Sequence, residues 1–506
     1  MSGASITRSR AITSADVLLI AAVPLLALFP LHNNDLWWHL ATGKWIAAHH
    51  AVPRDDIFAW THYMRGWIDN EWLSQVIFYG VWKLGGDRAL IVLRAMLFGA
   101  MAVLLRRTTG ARIFPFALAA AIALSHHWWE LRPSVFSLLG LLTLMILMQR
   151  GRWWWIPPLF LLWANLHPGF VVGLVVFAGV IVARAITKWG AGVRISALSF
   201  VASIAATLIN PYDWRIYEQQ LTVASNREYR ALLDEWIVPP VPFLLFAIAI
   251  LIIGALSMRR VPLPRLIPLF ATATMSMTAV RFEEYCAWIA VPIALWCLRR
   301  LAPGRASAAQ MALVLITALV GWWPPAAKPS VRLTQSYMAI AERQRIATIV
   351  ALAAALWSAR RSRRASAGDF ARRSTWIVTS LAVILIAATR QDAIERGRYP
   401  DKCLDAVAGR IFNRLSWGGW LIWKRGIPVF IDGRYAGQRI FFDYVAAQVR
   451  YARPLLARWG IDTVIVAADD GTAAQLWTAS EWSLVCRDEA SLVFRRKAVT
   501  QREFSP

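Results

Sequence analysis

The sequence predicts an α-helical polytopic membrane protein of about 13 spans, followed by a small C-terminal α/β soluble domain. Of its 506 residues, 58% are hydrophobic and only 17% are charged, which excludes a disordered chain and argues against a single soluble globule. Apolar runs of about 14 to 20 residues recur along residues 1–389, and each ends at Arg or Pro. Basic residues gather in alternate links between these runs, as in multi-pass membrane proteins.

The first span is predicted at residues 15–31. Arg8 and Arg10 precede this apolar run, and no small-residue cleavage site follows it, so an uncleaved span is favoured over a signal peptide. The same pattern of apolar run and basic link predicts the remaining spans. They are residues 89–105, 113–125, 134–149, 153–166, 169–183, 195–209, 241–257, 264–280, 284–298, 309–323, 345–358 and 376–389.

The distribution of charge predicts the orientation of these spans. If the N-terminus is cytoplasmic, every link on the cytoplasmic side is rich in Arg, as the positive-inside rule requires. The links on the other side hold most of the acids and histidines, and 13 crossings place the C-terminus outside. The net charge of +25 is therefore explained by membrane orientation, and no nucleic-acid partner is predicted.

Two domains are predicted: a transmembrane domain at 1–389, with a long first outside loop at 32–88, and an extracytoplasmic α/β domain at 390–506. Within the second, Cys403 and Cys486 could form a disulfide if the region is exported. Periodicity and turn residues predict its elements. They are a helix at Leu404–Leu415, a strand at Pro428–Ile431, a helix at Phe442–Trp459, a strand at Asp462–Ala467, a short helix at Thr472–Trp477, and strands at Trp482–Cys486 and Ser491–Arg495.

The first outside loop is the strongest candidate for a functional site. Its residues 33–75 gather carboxylates, histidines and tryptophans beside the first span. Carboxylates at a bilayer face are costly to hold there, so they usually mark a site or an ion path. Asp35 could act as a general base on an incoming hydroxyl, or it could cap a helix at Leu36–Ala48. The two roles are compatible.

Other residues of this loop are weaker candidates. Asp55 and Asp56 follow a turn-like Pro-Arg pair, and they could bind a cation or substrate hydroxyls or cap the next segment. Glu71 could be a second carboxylate or a ligand of a divalent metal, although no fixed ligand spacing supports a metal. Trp38 could present its flat face to a sugar or a polyprenyl chain, or it could belong to an interfacial belt.

Basic residues on the otherwise acidic outer side are candidate phosphate ligands. Arg132 and Arg281 could clamp a phosphate in bidentate fashion, and the alternative is that each extends to the membrane interface. In the C-terminal domain, Asp432 and Arg434 stand where a predicted strand ends. They could contact a ligand or form a structural pair that joins the domain to the rest of the chain.

The motif DLWWH at 35–39 and the segment EWL at 71–73 resemble the first outside loop of the GT-C superfamily of polytopic membrane glycosyltransferases. The segment WGGWLIWKRGIPVFIDGRY at 417–435 resembles the tail of bacterial members of this kind. The resemblance is specific in residues 33–75 and 416–495. It is greatest to bacterial proteins akin to the dolichyl-phosphate-mannose-protein mannosyltransferase and aminoarabinose transferase group.

The resemblance implies an inverting sugar transfer in which Asp35 deprotonates the acceptor hydroxyl and Arg132 or Arg281 stabilises the leaving phosphate. It implies a polyprenyl-phosphate-linked sugar donor, a lipid, protein or glycan acceptor, and a place in the bacterial inner membrane. A divalent metal is an option, and no other cofactor is implied. The alternatives are a non-catalytic envelope scaffold and a transporter or flippase of a lipid-linked substrate, although no internal repeat supports a transporter.

Overall fold

The computed structural model describes residues 12–62, 66–187, 192–226, 234–321, 349, 394, 397–434 and 438–497. The protein is mostly helical with a small C-terminal sheet, as the sequence predicts. It divides into two compact units, here named the helical unit (residues 1–29 and 91–391) and the sheet unit (residues 30–90 and 392–506). The loop predicted at 32–88 thus falls in the same unit as the C-terminal sheet, and the predicted domain boundary at 389/390 stays a prediction.

The longer helices up to residue 321 are separated by connections of different lengths. In chain order they are α1 (Ser14–Leu26), α2 (Leu36–His49), α3 (Trp72–Thr109), α4 (Phe114–Ser125), α5 (Ser134–Gln149), α6 (Ile156–Leu166), α7 (Phe170–Thr187), α8 (Val193–Thr207), α9 (Arg215–Ser225), α10 (Val241–Ser257), α11 (Leu263–Ser276), α12 (Val291–Leu301) and α13 (Ala306–Gly321). A π-helical stretch at Cys286–Ala290 leads into α12, and α3 is broken at Gly85 and Gly86.

Several predicted spans coincide with helices of the structure. The bounds of α5 and α10 are those predicted at 134–149 and 241–257. Within the described residues, three helices are long and apolar enough to cross a membrane: Trp72–Thr109, Phe170–Thr187 and Pro303–Gly321. Four further apolar helices are shorter: Ser14–Leu26, Ser134–Gln149, Val193–Thr207 and Val241–Ser257. The number of 13 spans and their orientation stay predictions, and those at 345–358 and 376–389 lie outside the described residues apart from residue 349.

The helical unit is built by packing of neighbouring and non-neighbouring helices. Helix α6 packs against α8, and α7 packs against α11. The N-terminus of α1 is closed by a reciprocal capping box between Thr13 and Asp16. Asp16 is buried, and its carboxylate lies 3.0 Å from the Arg106 guanidinium, which compensates the buried charge.

The sheet unit contains a four-stranded sheet in the order β1-β2-β4-β3. Its elements are β1 (Ile411–Asn413), α14 (Gly418–Arg425), α15 (Gln438–Ala446), α16 (Ala452–Arg458), β2 (Thr463–Val466), α17 (Gly471–Leu476), β3 (Trp482–Arg487) and β4 (Leu492–Arg496). Strand β1 is parallel to β2, and the other pairs are antiparallel. The later strands and the helices after residue 438 agree with the sequence prediction.

Two predicted elements of this unit are wrong. The helix predicted at Leu404–Leu415 is a single 3-10 turn followed by β1, because Ile411–Asn413 pair with Thr463–Ile465 of β2. The strand predicted at Pro428–Ile431 does not join the sheet in the described residues. Instead, Val429 forms an isolated bridge with Ala59 of the first loop, so this extended segment pairs with a distant part of the chain.

A disulfide joins Cys403 to Cys486 across 83 residues of sequence. It connects the segment before β1 to the edge strand β3 within the sheet unit. Closing a loop of this length lowers the entropy of the unfolded chain, which stabilises the unit. A disulfide of this kind is typical of proteins that fold in an oxidising compartment.

Candidate active site

Asp35 stands directly before α2. Its backbone occupies the N-cap position of α2, but within the described chain its carboxylate makes no capping hydrogen bond. The carboxylate instead accepts the indole N–H of Trp38 at 3.5 Å, and the Asp35 amide donates to the side chain of Asn33 at 3.1 Å. Asp35 is half-buried. The capping alternative is therefore disfavoured, and the carboxylate is held by a side chain of its own helix.

The segment that follows the isolated bridge brings a tight turn of the tail against Asp35. This turn is named the DGR turn and consists of Asp432, Gly433 and Arg434. The Cβ position of Gly433 lies 2.1 Å from the Asp35 Oδ1 atom, a distance at which only a glycine fits. The tail is thus in direct contact with the candidate general base, although the two residues are almost 400 positions apart in the sequence.

Arg434 fixes the DGR turn to the first outside loop. Its guanidinium makes two hydrogen bonds from Nε to Asp432 and one from Nη2 to Asp432 at 2.7 Å. The same Nη2 donates to Asp56 Oδ1 at 3.0 Å. The guanidinium also lies over the rings of Phe58 and Trp67, at 5.2 and 4.9 Å from their centroids. The side chains of Asp56, Asp432 and Arg434 are all buried, which favours the structural alternative for Asp432 and Arg434.

The other predicted acids of the loop occupy different surroundings. Asp56 Oδ1 also accepts the amides of Phe58 and Ala59, so this carboxylate shapes its own turn. Asp55 is exposed and accepts the amides of Asp56 and Gly66. These contacts favour the capping alternative for both residues, while their predicted part in substrate binding stays a prediction.

Glu71 lies beside a buried histidine. Its carboxylate is 3.8 Å from His39 Nε2, and the His39 ring lies 3.7 Å from that of Trp38 between centroids, tilted by 38°. Trp38 is 8% exposed, so little of its ring is available as a platform for a sugar. Asp35, Trp38, His39 and Glu71 therefore form one connected group around the start of α2.

A second charged group lies in the helical unit. Arg132, which precedes α5, and Arg281, which follows α11, both face the carboxylate of Glu235. Arg132 donates a hydrogen bond to Glu235 Oε1, and Arg281 Nη1 is 3.8 Å from Oε2. The Arg281 guanidinium also lies 4.8 Å from the Trp236 ring. The two predicted phosphate ligands are thus brought together around one acid.

The electrostatics of this group follow from its composition. Burial alone would raise the pKa of the Glu235 carboxyl, but the guanidinium groups of Arg132 and Arg281 hold it at about 2. Burial and the charge of Arg281 lower the pKa of His167 to about 3, so its imidazole is neutral. Its Nδ1 accepts the amide of Gly169 at 3.0 Å, which places the ring proton on Nε2. Two guanidinium groups gathered in one place suit the binding of an anion.

The complete fold is similar to those of two known proteins. ArnT from Cupriavidus metallidurans in the apo state has a TM-score of 0.54 at 17% identity, covering 94% of this chain and 97% of that chain. ArnT bound to undecaprenyl phosphate has a TM-score of 0.52 at 16% identity, covering 96% and 97%. AglB, the archaeal oligosaccharyltransferase from Archaeoglobus fulgidus in complex with an inhibitory peptide and a dolichol-phosphate, has a TM-score of 0.51 at 13% identity, covering 89% and 69%.

No protein-family profile and no curated protein matches the sequence. The fold is therefore identified from the structural comparison. ArnT and AglB are GT-C glycosyltransferases. This chain has the GT-C fold. The resemblance stated from residues 33–75 and 416–495 is confirmed at the level of the fold.

Within this GT-C fold, several site residues were not singled out by sequence reasoning. Glu235 lies in an acid-rich outside link, but only its arginine partners were selected. The sequence assigns no individual role to His39 or His167, and Gly433 carries no chemistry that a motif search would detect. Their roles depend on contacts between residues far apart in sequence. In the described part of the chain, no group of three His, Cys, Asp or Glu side chains is arranged to hold a metal ion.

Asp69 is a further buried acid of the first loop to which the sequence assigns no individual role. It is 3% exposed, and its Oδ1 accepts the Gln75 side chain at 2.8 Å and the Glu71 amide at 3.2 Å. Burial raises the pKa of the Asp69 carboxyl to about 7, and the hydrogen bonds and the charge of Arg434 oppose this only in part. The folded protein therefore keeps this proton at a pH where the unfolded chain has released it.

This raised pKa predicts a pH-dependent stability. The contribution of Asp69 to the free energy of unfolding is complete below about pH 4 and is lost as the pH rises through about 7. Between these two values the folded state binds a proton that the unfolded chain has released. Replacing Asp69 with Asn should raise the melting temperature at pH 8 by at least about 2 °C and have a smaller effect at pH 5. Melting curves of the purified protein between pH 5 and 8 measure this. Asp469→Asn, at an exposed position of the same unit, is the control, and parallel pH profiles for Asp69→Asn and the unaltered protein would contradict the expectation.

Proposed function

We propose that the protein is a membrane glycosyltransferase that moves a sugar from a polyprenyl-phosphate-linked donor to an acceptor hydroxyl with inversion. The observation that carries the proposal is the GT-C fold over nearly the full length of ArnT, a protein whose structure holds undecaprenyl phosphate. AglB, whose structure holds a dolichol-phosphate, supports the same class of donor. A donor of this kind presents its phosphate at the membrane interface while its tail stays in lipid.

Asp35 is the proposed general base. It would accept the proton of the acceptor hydroxyl as the oxygen attacks the anomeric carbon of the sugar. The bond from that carbon to the phosphate oxygen would break, and the electron pair would leave with the polyprenyl phosphate. The Asp35 carboxylate is half-buried and accepts the Trp38 indole N–H, and a carboxylate is a group that can take up this proton.

Arg132 and Arg281 are the proposed ligands of the leaving phosphate. Both carry fixed positive charges, and Glu235 already holds their guanidinium groups close to one another. Charge that develops on the phosphate oxygen in the transition state would be stabilised by donors that are oriented before the reaction.

The remaining site residues support these groups. Trp38 would fix the orientation of Asp35 directly, and Glu71 would do so through His39 and Trp38. Asp56 would hold the DGR turn in place through its bond to Arg434. Asp55 remains a proposed contact for substrate hydroxyls at the exposed end of the loop. Glu71 is the residue that would bind a divalent metal near the phosphate.

We also propose that the sheet unit lies outside the cytoplasm of a bacterial inner membrane. The Cys403–Cys486 disulfide supports this, because such bonds persist in oxidising compartments. The predicted outward orientation of the first loop and the tail agrees with it. The acceptor, whether lipid, protein or glycan, would then be met on the outer face.

The test is a transfer assay with purified protein in lipid nanodiscs. A panel of polyprenyl-phosphate sugars is supplied, and released polyprenyl phosphate is measured by mass spectrometry. Release is expected, and Arg132→Ala or Arg281→Ala should reduce it by about 10²-fold because each removes a donor from the developing charge. Arg458→Ala, which alters an exposed ion pair of the sheet unit, should have no effect. Folded protein that releases no polyprenyl phosphate from any donor would favour the scaffold or transporter alternatives.

A further inference from the structure

Position 433 requires a glycine because a side chain there would collide with Asp35, and not because of its backbone conformation. Gly433 is not among the glycines with a positive φ in the described chain, so an L-residue could adopt its backbone. A Cβ atom there would lie 2.1 Å from Asp35 Oδ1, 3.4 Å from Asp35 Cγ and 3.6 Å from Trp38 Nε1. Even the smallest side chain would therefore collide with the carboxylate. One of the two groups would have to move.

The DGR turn is the less movable of the two. Arg434 and Asp432 are buried and joined by several hydrogen bonds, and Arg434 is also bonded to Asp56. On the other side of the turn, the Cβ position of Gly418 lies 2.6 Å from Asp432 Cβ and 2.4 Å from the Ile431 carbonyl oxygen. The N-terminus of α14 thus packs tightly against the turn. A methyl group at position 433 would push the Asp35 carboxylate away.

We propose that Gly433 is a positioning residue that sets the orientation of the Asp35 carboxylate, so that the C-terminal part of the chain completes the site of the general base. The inference rests on the proposed function for its catalytic consequence, but the contact itself does not. Gly433 is exposed, and Asp35 is half-buried beside it. A residue without a side chain at this place leaves room for the carboxylate, while the turn restricts its rotation.

The first test is a double-mutant cycle on thermal stability in the full-length protein. Gly433→Ala should lower the melting temperature by about 2–8 °C, because the added methyl group displaces Asp35. In an Asp35→Ala background the same substitution should cost little, since the colliding oxygen is absent. Gly80→Ala is the control for an added methyl group, because a Cβ there meets nothing within 4 Å in the same unit. Since Gly80 lies within α3, Ala should raise the melting temperature slightly at that position. An equal cost of Gly433→Ala in both backgrounds would overturn the proposal.

The second test is kinetic. Gly433→Ala should lower kcat for sugar transfer by about 10²-fold, while KM for the polyprenyl-phosphate sugar stays within about twofold, because a base displaced by about 1 Å loses its alignment without altering donor binding. Gly80→Ala should leave both constants unchanged. An unchanged kcat for Gly433→Ala would overturn the positioning role. A coupled pair of melting temperatures in a protein without any transfer activity would support the contact and reject the proposed function alone.

Discussion

Replacing Asp35 with Asn is expected to lower the rate of sugar transfer by about 10²- to 10⁴-fold. Asn has the shape of Asp and can still accept the Trp38 indole N–H, but it cannot take up the proton of the acceptor hydroxyl. The fold should be unaffected, because the amide fits beside Gly433 as the carboxylate does. The measurement is the initial rate of polyprenyl phosphate release at saturating donor.

The controls for this prediction separate chemistry from folding. The melting temperature of Asp35→Asn should match that of the unaltered protein to within about 2 °C. Asp469→Asn, at an exposed carboxylate of the same unit, should retain full activity. Transfer by Asp35→Asn at the normal rate would show that another group is the base, and Glu71 would be the next residue to replace.

Replacing Arg434 with Ala should destabilise the sheet unit by about 3–5 kcal/mol. The substitution leaves the buried carboxylates of Asp432 and Asp56 without their shared cation. It also removes the contacts of the guanidinium with the Phe58 and Trp67 rings. The loss is large because the cost of burying two carboxylates remains after their compensation is gone. Thermal or denaturant unfolding of the purified protein measures it.

Two comparisons sharpen this second prediction. Arg434→Lys keeps the charge but loses the planar guanidinium that bonds both carboxylates. Its free energy of unfolding should therefore lie between those of the unaltered protein and Arg434→Ala. Arg458→Ala breaks an exposed ion pair with Asp443 and should change the free energy of unfolding by less than about 1 kcal/mol. A loss of under about 1 kcal/mol for Arg434→Ala would show that the buried triad does not hold the loop and tail together.

Local sequence was enough to place most helices and three of the four strands of the sheet. The apolar runs at 134–149 and 241–257 are bounded by Arg or Pro, and their ends agree with α5 and α10. The short β-branched segment at Thr463–Val466 is a strand, as its composition predicts. These elements depend on the hydrophobic period and on flanking residues, and both can be read along the chain.

Pairing between distant segments could not be read in this way. Ile411–Asn413 follow a pattern that also suits a helix, and their pairing with β2 decides in favour of a strand. The extended segment at Pro428–Ile431 has the composition of a sheet strand, yet its partner is Ala59. In both cases the deciding hydrogen bonds come from residues more than 50 positions away, which a local pattern does not contain.

The sequence by itself determined the membrane-protein character, the GT-C resemblance, and the candidate residues Asp35, Arg132 and Arg281, because hydrophobic runs, charge and motif are properties of neighbouring residues. Only the tertiary structure decided what surrounds them. Glu235 gathers the two arginines, and the DGR turn meets Asp35 through a glycine that leaves room for the carboxylate. Such contacts arise when the folded chain brings remote residues together, and burial and steric exclusion then set their chemistry.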